Sequence, residues 1–162
     1  MRKRIIELLK KDARYTPDDL SKMLDRPVND IKTEIKKLED EKIIVQYSAV
    51  INEDKIKDND LVTAFIEVKV TPERDKGFDD IANRLEKFPE VQSIYLMSGA
   101  YDLLVVVQGN SLKDIAKFVS GKLAPFGKVL STATHFLLKK YKENGVIMEQ
   151  NSDEPSRLNV AF

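Results

Sequence analysis

Between Leu38 and Leu61 the hydrophobic pattern of this chain changes period, and no other feature constrains its fold as strongly. Before the change, apolar residues recur at helical spacing. Ile5, Ile6, Leu8 and Leu9 alternate with Arg4, Glu7, Lys10 and Lys11. Thr16-Pro17-Asp18-Asp19 is a helix-start signature, with Thr16 as N-cap, Pro17 at the first helical position and two acids in the first turn. Leu20, Met23 and Leu24 supply the apolar face of that helix, and Asp25-Arg26-Pro27 interrupts it. Val28, Ile31, Ile35 and Leu38 then mark a third helix. Helix, helix, tight turn and helix in so short a span is a helix-turn-helix pattern.

After Leu38 the pattern turns β-like. Ile43–Ile51 is short and β-prone, and Asn52–Asp60 is charged, which reads as a solvated linker loop. From Leu61 to Thr71 the chain alternates, with Ala64, Ile66, Val68 and Val70 on one face and Phe65, Glu67 and Lys69 on the other; Pro72 ends the run. Phe78, Ile81, Ala82, Leu85 and Phe88 form a helical face. Val91–Met97 and Leu103–Gln108 read as strands, and Ser111 caps a helix carrying Leu112, Ile115, Ala116, Val119 and Leu123. Val129–Leu138 is the last clear strand. Strand, helix, strand, strand, helix, strand is the order of a ferredoxin-like βαββαβ sandwich, with both helices on one face of an antiparallel sheet. The resulting division is 1–52 helix-turn-helix, 53–60 linker, 61–141 ferredoxin-like domain and 142–162 C-terminal extension. Two apolar triplets in the extension, Val146-Ile147-Met148 and Leu158-Asn159-Val160, leave open a disordered tail or a strand added to a sheet edge.

The open face of the sheet carries a prediction of its own. Val91–Met97 and Leu103–Val107 are apolar on both sides. An apolar face left wet costs roughly 25 cal/mol per Å². Packing against a second copy removes the cost, so a homodimer with facing sheets is expected.

Composition narrows the chemistry. The chain has no cysteine and one histidine, His135, which removes disulfides, thiolate metal sites and cysteine nucleophiles. No metal and no cofactor are expected, and neither phosphate-cradling glycine motif occurs. The basic start, Met1–Arg4, is followed by an apolar stretch broken at Glu7, which is no signal peptide. A cytoplasmic protein without a membrane span is the expectation.

The chain resembles the Lrp/AsnC (feast/famine) transcriptional regulators over nearly all of residues 1–160. The residues that carry the likeness are Leu20 and Leu24, Ile35–Glu39, Ile43–Tyr47, the Gly99-Ala100-Tyr101-Asp102 loop with its G-x-Y-D pattern, and Ser131–Thr134. The resemblance implies an α+β fold: a winged-type helix-turn-helix followed by the ferredoxin-like sandwich of a RAM-type ligand-binding domain. It implies double-stranded DNA, a small-molecule effector such as an amino acid, and further copies of the chain as partners, in dimers and often rings of dimers. It also implies that the loop matching Ser98, Gly99, Ala100, Tyr101 and Asp102, with the strand bearing Thr132 and Thr134, lines the effector site. From the residues themselves, Gly99 lets a backbone approach a ligand and Asp102 is able to accept from an ammonium group. A plain hairpin turn, with Asp102 bonding its own loop, explains the same pattern. Threonine's β-propensity equally explains the last strand.

Asn29, Lys32 and Lys36 share one face of the third helix, suited to adenine, guanine or phosphate, while Arg26 and Lys37 suit phosphate. Ordinary solvated Lys–Glu pairing is the competing explanation. The reading helix departs from the family at Pro27, where a capping serine is usual, so Asp25 or another group is expected to cap. It departs at Glu34, where arginine is common and a carboxylate would repel phosphate. Lys42 stands where a glycine is expected. Residues 1–52 hold twelve basic and ten acidic residues, an excess of two, so DNA affinity is expected to depend on multimers and low salt. Two alternatives stand beside the regulator: an enzyme like the siroheme decarboxylases, which share the architecture, and a ligand-binding module that no longer reads DNA. With His135 alone on its strand the enzyme has little to work with, so no catalytic residue is assigned.

Overall fold

A computed structural model describes residues 1–71 and 78–149 of the chain. The described chain divides into two compact units, with the boundary after Ile51.

The first unit is three helices: α1 (Arg2–Lys11), α2 (Pro17–Leu24) and α3 (Val28–Asp40). Their apolar stripes meet in one cluster, where Ile5, Leu9, Leu20, Ile31 and Leu38 are buried and Tyr15, Leu24, Ile35 and Ile44 pack around them. Thr16 caps α2 as expected, in a full capping box. Its hydroxyl accepts from the Asp19 N–H at 3.2 Å, and the Asp19 carboxylate accepts from the Thr16 N–H at 2.9 Å. Asp25 does not cap α3. It stands at the C-terminus of α2 with φ 49°, and α3 begins behind Pro27 without any side-chain cap. The Ser21 hydroxyl instead donates to the Arg26 carbonyl and holds the turn.

At the far end α3 closes in a Schellman arrangement: Ile43 N–H donates to Leu38 O at 2.9 Å and Lys42 N–H to Glu39 O at 3.0 Å. This places Lys42 at φ 58°, a left-handed conformation that favours glycine. The β-prone segment Ile43–Ile51 forms no strand. Its propensity is real, but a strand needs a hydrogen-bonded neighbour, and none pairs with it within the described chain. The wing expected beside the helices is therefore not present as a β-element.

The second unit holds β1 (Val62–Val70), α4 (Asp79–Leu85), β2 (Val91–Leu96), β3 (Leu103–Gly109), α5 (Leu112–Phe118) and β4 (Val129–Phe136). Four antiparallel strands lie in the order β2-β3-β1-β4. This is the ferredoxin-like arrangement the element order predicted. The alternation read in β1 holds: Ala64, Ile66, Val68 and Val70 are buried with Leu103, Val105 and Val107 against Ile81 and Leu85 of α4 and Ile115 and Phe118 of α5. Ser111 caps α5 through the Asp114 N–H at 3.2 Å. A π turn, Val119–Leu123, extends α5 and buries Leu123. Pro72 lies outside the described residues.

Asn52–Asp60 is attached to this unit. It makes a single 3-10 turn at Glu53–Lys55; Lys140 Nζ lies 3.4 Å from the Glu53 carboxylate, and Asn52 Nδ2 donates to Met148 O at 2.9 Å. The extension adds no strand to the sheet as far as Glu149. It folds on itself as a hairpin of β5 (Lys142–Glu143) and β6 (Val146–Ile147). Asn144 and Gly145 both have positive φ, as a tight two-residue hairpin turn requires. That local solution satisfies the backbone without the sheet edge. Leu158-Asn159-Val160 lies outside the described residues.

Candidate DNA-reading and effector sites

On α3, each residue advances about 100° around the axis. Asn29, Lys32 and Lys36 therefore fall within about 60° of one another, opposite the buried Ile31 and Leu38. All are exposed, as are Arg26 and Lys37. No side-chain ion pair links Arg26, Lys32, Lys36 or Lys37 to a carboxylate of the described residues, so the Lys–Glu pairing weighed against DNA contact is not made. Lys37 lies on the other flank of the helix, away from the Asn29–Lys36 stripe.

Glu34 does not project into that stripe. It is roughly 160° around the helix from Lys32, and its side chain is only 14% exposed, with Oε1 3.6 Å from Arg2 Nε. Arg2 also bonds Glu41. The carboxylate faces α1, with the Arg2 guanidinium beside it there. The sequence signal that could have shown this is the basic Met1–Arg4 run one helix away.

Around the turn before α2, the Asp12 carboxylate accepts from the Arg14 N–H and its guanidinium, at 2.8–3.0 Å. These bonds hold the Asp12 carboxyl at about 2, below its ordinary range. Tyr47 donates to Glu39 at 2.9 Å, and partial burial together with that bond pushes its phenol up to about 12.

In the second unit the Ser98–Asp102 loop joins β2 to β3. Ser98, Gly99 and Ala100 are exposed and Tyr101 and Asp102 half-buried. Gly99 has φ 141°, a conformation essentially reserved for glycine, with open space where a Cβ would stand. Backbone shape, not crowding, requires glycine there. Asp102 is firmly engaged: its N–H donates to Val68 O at 3.0 Å, its carbonyl accepts from Met97 N–H at 2.8 Å, and its Oδ2 accepts from Val70 N–H at 2.8 Å. The carboxylate thus bonds the end of β1 rather than its own loop.

Thr132 and Thr134 share a face, as alternation required. Thr132 pairs with Val68 and Thr134 with Ile66, so both lie on the helix-covered side, half-buried at the edge strand. Val68 also pairs with Leu103, which sets Thr132 level with the loop's exit, two strand spacings or about 10 Å across the sheet. Thr134 sits one pleat further from the loop. Loop and threonine are therefore gathered at one end of the sheet.

The opposite, open face presents Phe65, Leu104, Val106 and Tyr95 as an apolar stripe, by their cross-strand pairing. His135 and Glu67 lie beside it, 3.3 Å apart. Among the described residues no group of acids and histidine is placed to hold a metal ion, and no helix is long and apolar enough to cross a membrane.

A three-helix unit with an exposed polar stripe on its third helix, joined to a ferredoxin-like unit with a G-x-Y-D loop, is the arrangement of the helix-turn-helix regulators with a ligand-binding domain. The family model for the Lrp/AsnC ligand-binding domain matches residues 63–147. The chain is 51% identical over 150 residues to the uncharacterised HTH-type transcriptional regulator YugG of Bacillus subtilis, covering 93% of this chain and 90% of that one. It is 28% identical to the proline dehydrogenase transcriptional activator of Rhizobium radiobacter, over 88% of this chain and 90% of that one. Among solved structures, the transcriptional regulator NMB0573 of Neisseria meningitidis in complex with L-Met superposes with a TM-score of 0.71 at 27% identity, covering 88% and 90% of the two chains. The chain belongs to the Lrp/AsnC family of transcriptional regulators.

Proposed function

We propose that this regulator binds double-stranded DNA through α3, with Asn29, Lys32 and Lys36 toward base edges or phosphate and Arg26 and Lys37 toward the backbone. The observation that carries the reading is the exposed stripe of α3, whose lysines pair with no carboxylate among the described residues. Lysine ammonium groups left unpaired on a surface helix are suited to displacing counterions from phosphate. The position of Glu34 outside that stripe, beside Arg2, supports the reading. We read the chain as a regulator without catalytic activity, because its one histidine is tied to Glu67 and its relatives carry regulators' names.

The apolar stripe of Tyr95, Leu104, Val106 and Phe65 supports pairing with a second copy face to face, which doubles the number of reading helices on one duplex. A small molecule of the amino-acid kind is read as the effector, near Ser98, Gly99, Ala100, Tyr101, Asp102, Thr132 and Thr134. The L-Met complex of the Neisseria relative supports that chemistry. Asp102 Oδ2 already serves Val70 N–H, so an effector's ammonium would have to share that carboxylate through its remaining acceptor sites.

The test is a gel-shift series at low salt with genomic fragments, repeated at rising salt. Retardation whose affinity falls steeply with salt supports the reading; no shift with any fragment overturns it.

A further inference from the structure

The chain leaves α3 along a sparsely bonded path. The helix ends at Asp40, the N–H groups of Ile43 and Ile44 both donate to Leu38 O, and Ile44 packs on the three-helix core. From Val45 to Ile51, where the first unit ends, there is neither helix nor strand. Among the described residues this segment makes one hydrogen bond: Tyr47 O–H donates to the Glu39 carboxylate of α3, at 2.9 Å.

That bond is built to last. Partial burial, and then the Glu39 bond itself, push the phenol up to about 12, so the donor keeps its proton at neutral pH. A hydroxyl bonded to a carboxylate is also held more strongly than one bonded to a neutral acceptor. Its place in the chain decides how much linker is free. An extended chain spans roughly 3.4 Å per residue. Without the bond, Val45–Ile51 is free and reaches about 24 Å. With it, only Ser48–Ile51 is free and reaches about 14 Å. A pair of reading helices on one duplex must match the separation of two half-sites. A shorter free connection concentrates the second helix at one separation and depletes it at others.

We propose that Tyr47 is a positioning residue for DNA reading: by bonding Glu39 it fixes the start of the linker to α3, and so restricts the half-site separations that a pair of chains accepts. The inference rests on the reading that α3 binds DNA in a face-to-face pair. Glu39 lies within about 60° of Lys36 around the helix. Loss of the bond therefore also frees a carboxylate near that lysine. The two effects differ in form. A freed carboxylate weakens binding alike at every separation, whereas a freed linker relaxes the rejection of wrong separations.

The experiment is selection from random-sequence duplexes with the full chain. It is followed by anisotropy titration of a recovered duplex and of versions whose half-sites are moved apart in single base-pair steps. The parent is expected to lose at least about tenfold in affinity when the half-sites are shifted by half a helical turn, about 5 base pairs. Tyr47→Phe keeps the ring, which is 45% exposed, and lacks only the hydroxyl. It is expected to lose no more than about threefold over the same shift, and Glu39→Ala likewise. Glu39→Gln keeps an oxygen acceptor for the phenol and is expected to retain the parent's profile. Equal profiles of the parent and Tyr47→Phe, a uniform loss at every separation, a Glu39→Gln profile that follows the alanine variant, or a parent indifferent to separation each overturns the proposal and leaves the DNA reading standing. A parent that binds no duplex overturns the DNA reading and the proposal together.

Discussion

Arg2 of α1 reaches Glu34 of α3, with Nε 3.6 Å from Oε1, and so holds that carboxylate away from the exposed stripe of Asn29, Lys32 and Lys36. Arg2 remains 41% exposed, which limits the pair to less than about 1 kcal/mol of stability. Its consequence is orientation. Glu34→Gln is expected to leave DNA affinity within about twofold of the parent, because the stripe of Asn29, Lys32 and Lys36 is untouched. A severalfold gain in an anisotropy titration would show that the carboxylate faces phosphate after all.

The lysines of that stripe should behave differently. Lys36→Ala is expected to weaken binding across all duplexes and to reduce the salt slope by about 1 per subunit engaged. Asn29→Ala should instead relax preference at one base pair, by about 1–3 kcal/mol. Titrations of two duplexes differing at that base, at several salt concentrations, separate the two roles. An unaltered slope in Lys36→Ala would remove it from the interface.

Lys42 closes α3 at φ 58°, where an L side chain is strained by roughly 1 kcal/mol. Lys42→Gly is expected to stabilise the first unit by up to about that amount, partly offset by the greater freedom of glycine in the unfolded chain. Urea unfolding followed by helical circular dichroism measures it. A loss of stability would mean that the Lys42 side chain contributes a contact larger than the strain.

Asp102 gives its Oδ2 to Val70 N–H, part-buried at the end of the central strand. Asp102→Ala leaves that N–H without an acceptor and is expected to cost about 1–3 kcal/mol with no effector present. Asp102→Asn keeps a carbonyl there and should cost less. Equal stability of the alanine variant and the parent in urea would show that the Val70 bond is dispensable, and would favour a purely ligand-facing role.

Acid should weaken the first unit. Asp12, at about 2 against an ordinary 3.8, and Asp19, also lowered by its bonds to Thr16, both have depressed carboxyl groups. A depressed carboxylate contributes stability that is complete above its unfolded value and is lost as pH falls through the folded one. The helical signal is therefore expected to lose thermal stability from about pH 4 down toward pH 2, and Asp12→Asn should flatten that dependence. An unchanged pH profile in the variant would dismiss the Arg14 bonds as a source of stability.

Local physics was enough for much of this molecule. Thr16 and Ser111 cap helices because a hydroxyl at that spacing satisfies a free N–H whatever surrounds it. The alternation of Ala64, Ile66, Val68 and Val70 determined which face of β1 is buried, and the order of periods determined a three-helix unit before a βαββαβ one. The G-x-Y-D loop was visible through its likeness to the family, and the structure adds that Gly99 adopts a φ other residues avoid. Where the sequence misled, a local preference had no partner or had two. Ile43–Ile51 is β-prone but has no neighbouring strand in the described chain, and Asp25, one of the groups open to cap α3, ends α2 in a left-handed turn while α3 has no side-chain cap. What only the tertiary structure decided are contacts between residues far apart in the chain: Arg2 with Glu34, Asp102 with Val70, Glu90 with Lys122 and its unsatisfied oxygen. Periodicity reports which side of an element is buried. It carries no information about which distant side chain meets it there, because that depends on how whole elements pack and on which polar groups are left to be satisfied once they have.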